Sequence, residues 1–564
     1  MTARPRQRAR LVAGIAALAA AIALVGCGGL PSAGPVVAGP ALGEVDPDYV
    51  VSPSGPADGA SPQEILGGFM LAVRAPQAEY QIARQFLTED FAAKWNPDAG
   101  VAIRSGIVEI GEAPDSTPEQ PVLLYEYLMT ASVDEGGRYR EQVPPTERIA
   151  EIRFVQEDGQ WRIAAVPDGI VLGSVAFTRA FTSVPLYYFD PTFRYLVPDV
   201  RWFASRGTTP TRAVAALLGG PDAWLERSLV SEFPAGTGVG AGGVVVSEGR
   251  AVVDLTSQAA AADGRTLDRM RQQIGATLGI AEVELRAAGV PLAPESGGTP
   301  ATIDPQPSGA VLVGTGDDFG FGTASGVVQI EGVTPQVVAA DAVAVTLARD
   351  GKSAAILTPS GEVRYVAAGA AATTLIDDRP GLVAPGLDQF GFIWTADAAP
   401  GGRIEALDRL GSPVGIVVEG LPSDASILSI AVSRDDTRLL LATHSGLGSR
   451  ILVYGIERQD GVPVRLGQPL ELPAPGGDLL GAAWVNDRTV VASSLSAAGE
   501  QVRVVALGAP STDLGLLPAR AQIVGGRDGK AGIRALVEGS VKAASADGSW
   551  NGTGLSAVFL GVQQ

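Results

Sequence analysis

Cysteine and histidine occur once each in 564 residues, and lysine is nearly missing, supplying four of the 42 basic side chains. One Cys forms no internal disulfide, and one Cys with one His assembles no Cys/His zinc site. Disulfide frameworks, thiol redox chemistry and zinc catalysis of that kind are therefore excluded, and nothing in the chain calls for a metal or another cofactor. Positive charge is also short. With 61 acidic residues the formal net charge is −19, which offers no field for a polyphosphate backbone, so nucleic acid is not an expected partner. Long apolar runs are limited to one uncharged stretch, Leu11 to Gly26, shorter than the ~20 residues needed to span a bilayer as a helix. Gly (72) and Pro (40) make up about a fifth of the chain, while hydrophobic residues at 46% stay in the globular range. At ~100–200 residues per domain the length suggests about three domains, turn-rich and joined by flexible segments.

The one apolar stretch follows Arg4, Arg6, Arg8 and Arg10, giving a basic n-region and an apolar h-region. It ends in Leu24-Val25-Gly26-Cys27, the pattern of a bacterial lipobox. Small residues there let a peptidase reach the bond between Gly26 and Cys27, and the thiol receives a diacylglyceryl group. Residues 1–26 read as a lipoprotein signal peptide and Cys27 as the lipidated residue, placing the remainder outside the cytoplasmic membrane. Its two or three acyl chains anchor stably where one is marginal. Losing the leader removes four Arg and no acid, so the charge moves from −19 to −23.

Residues 27–60 are rich in Pro and Gly without apolar period and read as a tether. Residues 61–173 read as an α+β domain. Ser61-Pro62-Gln63-Glu64 is a capping box ahead of Ile65, Leu66, Phe69, Met70 and Val73 at helical spacing, and a second helical stretch carries Tyr80, Ala83, Phe86, Leu87, Phe91 and Trp95. Strand-like runs follow at Val122 to Ala131, Arg148 to Gln156 and Gln160 to Val166, the last two joined by Glu157-Asp158-Gly159. This order resembles the cone-shaped nuclear-transport-factor-like fold; Trp95 and Trp161 are expected in its core.

Residues 183–291 open with Val184-Pro185-Leu186-Tyr187-Tyr188-Phe189-Asp190 and continue through a helix ending at Leu217-Leu218-Gly219-Gly220-Pro221. The turn Phe233-Pro234-Ala235-Gly236-Thr237, the strand Ala251-Val252-Val253-Asp254-Leu255, a helix from Arg265 to Leu278 and a strand Val283 to Arg286 complete the segment. These motifs, in this order, resemble the GerMN domain of spore-germination and envelope proteins, a small α+β module. Residues 292–309 read as a linker with few groups able to pack.

From 310 to 564 a strand, a polar turn and a strand recur. The turns are Arg349-Asp350-Gly351, Leu387-Asp388-Gln389, Arg434-Asp435-Asp436, Val485-Asn486-Asp487 and Arg527-Asp528-Gly529, at spacings of 38, 47, 51 and 42. Such periods signal an all-β propeller of about five blades, with Ala310 to Val338 able to complete a sixth.

No catalytic residue stands out. His444 has no nucleophile motif near it. Gly238-Val239-Gly240-Ala241-Gly242-Gly243 is followed by a β run where a dinucleotide site requires a helix. Asp317-Asp318, Asp377-Asp378 and Asp435-Asp436 lack calcium-loop spacing and read as solvated turns. Taken whole, lipobox, tether, α+β domain, GerMN-like domain and propeller resemble the LpqB family of actinobacterial lipoproteins. That resemblance implies a non-enzymatic, lipid-anchored accessory of the MtrAB two-component system that contacts the sensor kinase MtrB and affects wall homeostasis and division. The residues themselves leave two rivals open, a wall-glycan-binding protein and a propeller glycosidase or lyase, and name no ligand-binding residue.

Overall fold

The computed structural model describes residues 53–564 apart from 296, 308, 309 and 546. The lipobox residues Leu24, Val25, Gly26 and Cys27 lie outside the described residues.

The first domain begins with the helix Pro62–Ala72, capped reciprocally: the Glu64 amide donates to Ser61 Oγ, and Glu64 Oε2 accepts from the Ser61 amide at 2.8 Å. It buries Ile65, Leu66, Phe69 and Ala72 against a sheet of β1 (Gly100–Glu112), β2 (Val122–Asp134), β3 (Tyr139–Glu157), β4 (Gln160–Ala165) and β5 (Ile170–Gly173), in the order β4-β3-β2-β1-β5. β5 runs parallel to β1 and the other pairs are antiparallel. The expected second helix is broken into Gln77–Tyr80, Gln81–Arg84 and Glu89–Ala92. Two causes are visible: Ala78, Glu79 and Tyr80 adopt positive φ, and the Thr88 amide leaves the helical ladder to donate to the Ile163 carbonyl at 2.9 Å. Trp95 is buried in the core and Trp161 packs half-buried against it.

The second domain pairs β6 (Phe181–Phe189) with β7 (Tyr195–Ala204), and β8 (Val239–Ser247), β9 (Arg250–Leu255), β10 (Glu282–Ala287) and β11 (Val290–Pro291) in a second sheet. The helices Thr209–Leu218 and Gly264–Leu278 share one core with both sheets through Val214, Leu217, Leu267, Met270 and Ile274. Asp263 caps the longer helix through the Thr266 amide, and Gly279 ends it at φ 66°. The glycine-rich loop has a structural role. Asp254 accepts from the Gly242 amide at 2.9 Å and the Gly289 amide at 2.8 Å, and a Cβ at Gly240 would fall 2.6 Å from the Asp254 carboxylate.

The segment 292–309, expected to be a free linker, is pinned at several points. Thr302–Ile303 adds to β7 as β12, and the Ala301 amide donates to Gln272 Oε1 at 3.0 Å. Further along, Asp304 Oδ1 accepts from the Asp487 amide at 3.0 Å and Gln306 Oε1 from the Asp528 amide at 3.3 Å, so the segment straps the second domain to the third.

The third domain is a propeller of six blades, five of them four-stranded and the one built on Ser426–Val432 enlarged to a six-stranded sheet. Innermost strands are Phe559–Gln563, Ala344–Leu347, Gly386–Leu387, Ser426–Val432, Asp478–Trp484 and Ala521–Val524. The sixth blade, missing from the turn repeat, joins the two ends of the segment. Phe559–Gln563 pairs with Leu312–Gly314, which continues to Phe319–Thr323 and Gly326–Gln329, so one blade built from both ends of the segment fastens the ring. Each repeated turn links the innermost strand to its neighbour, and in four of the five a left-handed position is filled by Gly351, Gly391, Asp436 or Asp528. Several of these turns are buried rather than solvated. Of the aspartate pairs expected to be solvated, Asp377, Asp435 and Asp436 are buried, whereas Asp317 and Asp378 stay exposed.

The three domains lock together. Arg206 and Arg212 reach Asp98 at 3.1 Å, Trp202 Nε1 donates to the Gly508 carbonyl at 2.8 Å, and Glu141 binds Arg503 and the Ser511 hydroxyl.

Candidate functional site

All six innermost strands contribute to one central channel of about 550 Å³. Side chains alternate along a strand, so every second residue faces the axis. Those residues are small or apolar: Ala431, Leu480, Ala482, Ile523 and Val562 line the channel and stay half-exposed. Polar groups are few, chiefly Ser429, Gln522, Gln563 and Gln564, with Arg434 at one end and Arg520 on the exposed rim. Among the described residues of its wall there is no Asp, Glu or His.

The end near Arg434 lies where the innermost strands turn outward, and the second domain crosses it. Tyr195, the first residue of β7, receives a hydrogen bond from Arg349 and lies under its guanidinium at 4.9 Å from the ring centre. Arg349 also donates to the Arg434 carbonyl. Arg434 itself donates from one terminal nitrogen to the Val485 carbonyl at 2.9 Å and from the other to the Gly526 carbonyl at 3.4 Å, tying three blades together. Beyond it sits a smaller cleft of about 200 Å³ lined by Gly525, Gly526, Arg527, Arg534 and Gln563.

The charges around this end are sorted by burial. Burial raises the Asp435 carboxyl, but Arg438 beside it and the Thr437 and Ser433 hydroxyls outweigh that and hold it below the usual range. Burial and the neighbouring Asp388 hold Asp436 well above it. Burial and Asp304 push Asp487 up to about 6. Burial draws the Arg434 guanidinium below its ordinary value, against the pull of Asp304 and with that of Arg349. Such shifts follow desolvation first and neighbouring charge second.

His444 sits at the end of the strand Arg438–Ser445, exposed, with Nδ1 3.2 Å from Ser449 Oγ, remote from the repeated turns. Arg434 and Arg349 drew notice in the sequence only as turn residues. No cluster of three or more His, Cys, Asp or Glu able to hold a metal occurs among the described residues, and no helix among them is long and apolar enough to cross a membrane.

Three family profiles match the chain in succession: Lipoprotein LpqB, N-terminal domain, over residues 55–178; Sporulation and spore germination over 185–293; and Lipoprotein LpqB beta-propeller domain over 322–552. The chain belongs to the LpqB lipoprotein family. Among its relatives, Lipoprotein LpqB of Cutibacterium acnes is 33% identical over 46% of this chain and 42% of its own, and that of Thermobifida fusca 31% identical over 48% and 45%. These two matches thus span less than half of either relative. Lipoprotein LpqB of Streptomyces coelicolor is 27% identical over 88% of both chains. An LpqB-family lipoprotein with a β-propeller is the functional class to which the channel belongs.

Proposed function

We propose that this lipoprotein is held by acyl chains on Cys27 at the outer face of the cytoplasmic membrane, where it acts without catalysis as an accessory of an MtrAB-like two-component system. It binds the extracytoplasmic part of the sensor kinase and modulates signalling in wall homeostasis and division. The observation that carries the non-catalytic part is the channel wall. Six converging strands place no Asp, Glu or His there, whereas glycoside hydrolysis uses a carboxylate pair and general acid–base chemistry a positioned titratable group. The kinase part is supported by family membership and by physical setting. A kinase in the same membrane meets a tethered partner at an effective concentration far above that of a free one, so modest affinity suffices.

Crosslinking in intact cells, followed by identification of captured material, tests this reading. Capture of a sensor kinase dependent on an intact Cys27 is the expected result. Capture of wall glycan in place of any kinase overturns it.

A further inference from the structure

Buried arginines in this protein are paired with aspartates. Arg201 binds Asp199, Arg438 binds Asp435 and Arg458 binds Asp388. Arg434 is the exception. It is 8% exposed, yet among the described residues no carboxylate lies within 4 Å of its guanidinium, whose bonds go to two backbone carbonyls. Among the described residues Arg349, which touches it, likewise bonds through its side chain to a hydroxyl and a carbonyl and to no carboxylate. Asp304, the carboxylate whose charge acts on Arg434, spends one oxygen on the Asp487 amide. A buried cation without an anion is costly to keep unless something else completes it.

The channel leading to Arg434 has the size and lining of a small-molecule site: about 550 Å³, largely apolar walls, a few polar groups along them, buried Arg434 at one end and exposed Arg520 at the other. Tyr195 and the 304–306 strap cover the Arg434 end, while Ala384, Leu480 and Arg520 flank the opposite mouth. We propose that the channel binds an elongated apolar molecule carrying one terminal anionic group, with the chain along the inner strands and the anion at Arg434. Carboxylate and phosphate share this chemistry, and a guanidinium suits both through charge-assisted hydrogen bonds. The proposal does not depend on the kinase reading.

The test uses the full mature chain with Cys27→Ser, which carries no acyl group, titrated calorimetrically with laurate, dodecyl phosphate and dodecanol. At least one anion binds roughly ten- to a hundredfold tighter than dodecanol. Arg434→Gln removes that preference while dodecanol binding persists, and Ala482→Phe, which fills the channel, weakens all three. Preference for laurate identifies a fatty carboxylate as the source, and preference for dodecyl phosphate a phosphorylated lipid. Should Arg434→Gln fail to fold, the comparison of anions with dodecanol and the Ala482→Phe variant still decide. Equal binding of dodecanol and both anions, or unchanged laurate binding in Ala482→Phe, overturns the proposal.

Discussion

Arg458 meets Asp388 at 2.7 Å across the seam between the blades built on Ser426–Val432 and Gly386–Leu387, with both side chains buried. Trp394 Nε1 adds a hydrogen bond to the same carboxylate oxygen at 3.1 Å, so the two charges are paired, while Arg458 Nε has no hydrogen-bond partner among the described residues. Removing one partner of such a pair leaves a charge stranded in low dielectric. Arg458→Met is expected to cost about 3–5 kcal/mol, read as a lower urea midpoint with unchanged slope. The double variant Arg458→Met/Asp388→Asn is expected to recover part of that loss. An Arg458→Met midpoint equal to wild type would remove the pair from the account of ring stability.

Asp487 supplies a pH test. Its carboxyl is pushed up to about 6 by burial and by Asp304, from an ordinary 3.8. Between these values the folded protein holds a proton that the unfolded chain has released. The unfolded state therefore binds fewer protons, and stability from this group falls as pH rises through the window. The full loss is about 3 kcal/mol, complete above about pH 6. Asp487→Asn lacks the titration, so it is expected to gain on wild type between about pH 4 and pH 7. Urea denaturation of both proteins at the two pH values measures the gain, and a constant difference would place the perturbed group elsewhere.

Some of this architecture was legible before any coordinates because the local signals were complete. The helix expected from Arg265 to Leu278 is found at Gly264–Leu278, with a cap and a stop written in Asp263 and Gly279. The stretch from Tyr80 to Trp95 carried the same apolar spacing, but its backbone enters through left-handed Ala78 to Tyr80 and breaks at Thr88, whose amide goes to Ile163 and whose hydroxyl caps a new short helix. β1 escaped notice because beyond Val101 and Ile103 it buries little that alternates. The blade turns were readable as repeats, yet their burial was not: Asp435 is closed in by Ser433, Thr437 and Arg438 of its own turn, and Asp436 accepts from the Gln389 amide of another blade. The channel was hidden for the same reason: it is assembled from six distant strands. The isolation of Arg434 from any carboxylate is a property of space alone.

The strap gives a third prediction. Residues 297–300 are exposed between pinned flanks, so a protease of broad specificity is expected to cut there first. The pieces should nevertheless remain together in native buffer, because Glu141 to Arg503, Trp202 to Gly508 and Tyr195 to Arg349 cross between them. Size-exclusion chromatography of the nicked protein checks this. Separation into two particles would show that the inter-domain contacts contribute little.

Cys27 gives a fourth. As the only thiol, placed after Leu24-Val25-Gly26, it is the sole acceptor for thioether lipidation. Cys27→Ala is expected to block acylation and leader removal together, leaving an unprocessed precursor. A variant that migrates and fractionates like the mature wild type would end the lipid-anchor proposal.

The last prediction separates tethering from chemistry. Anchoring confines the protein to the membrane that holds its proposed kinase, and for a partner of micromolar affinity that confinement raises occupancy more than any one surface contact does. A secreted form without the anchor, expressed to the same level, is therefore expected to lose most of its effect on response-regulator phosphorylation. His444→Ala is expected to retain that effect: the ring is exposed, its one described partner is the Ser449 hydroxyl at 3.2 Å, and it lies away from the channel lining. Phosphorylation measured in cells carrying each form compares them directly. Full activity of the secreted form would eliminate the effective-concentration argument. Complete loss of function in a folded His444→Ala protein would instead make proton transfer part of the function, because no other imidazole exists in the chain to supply it.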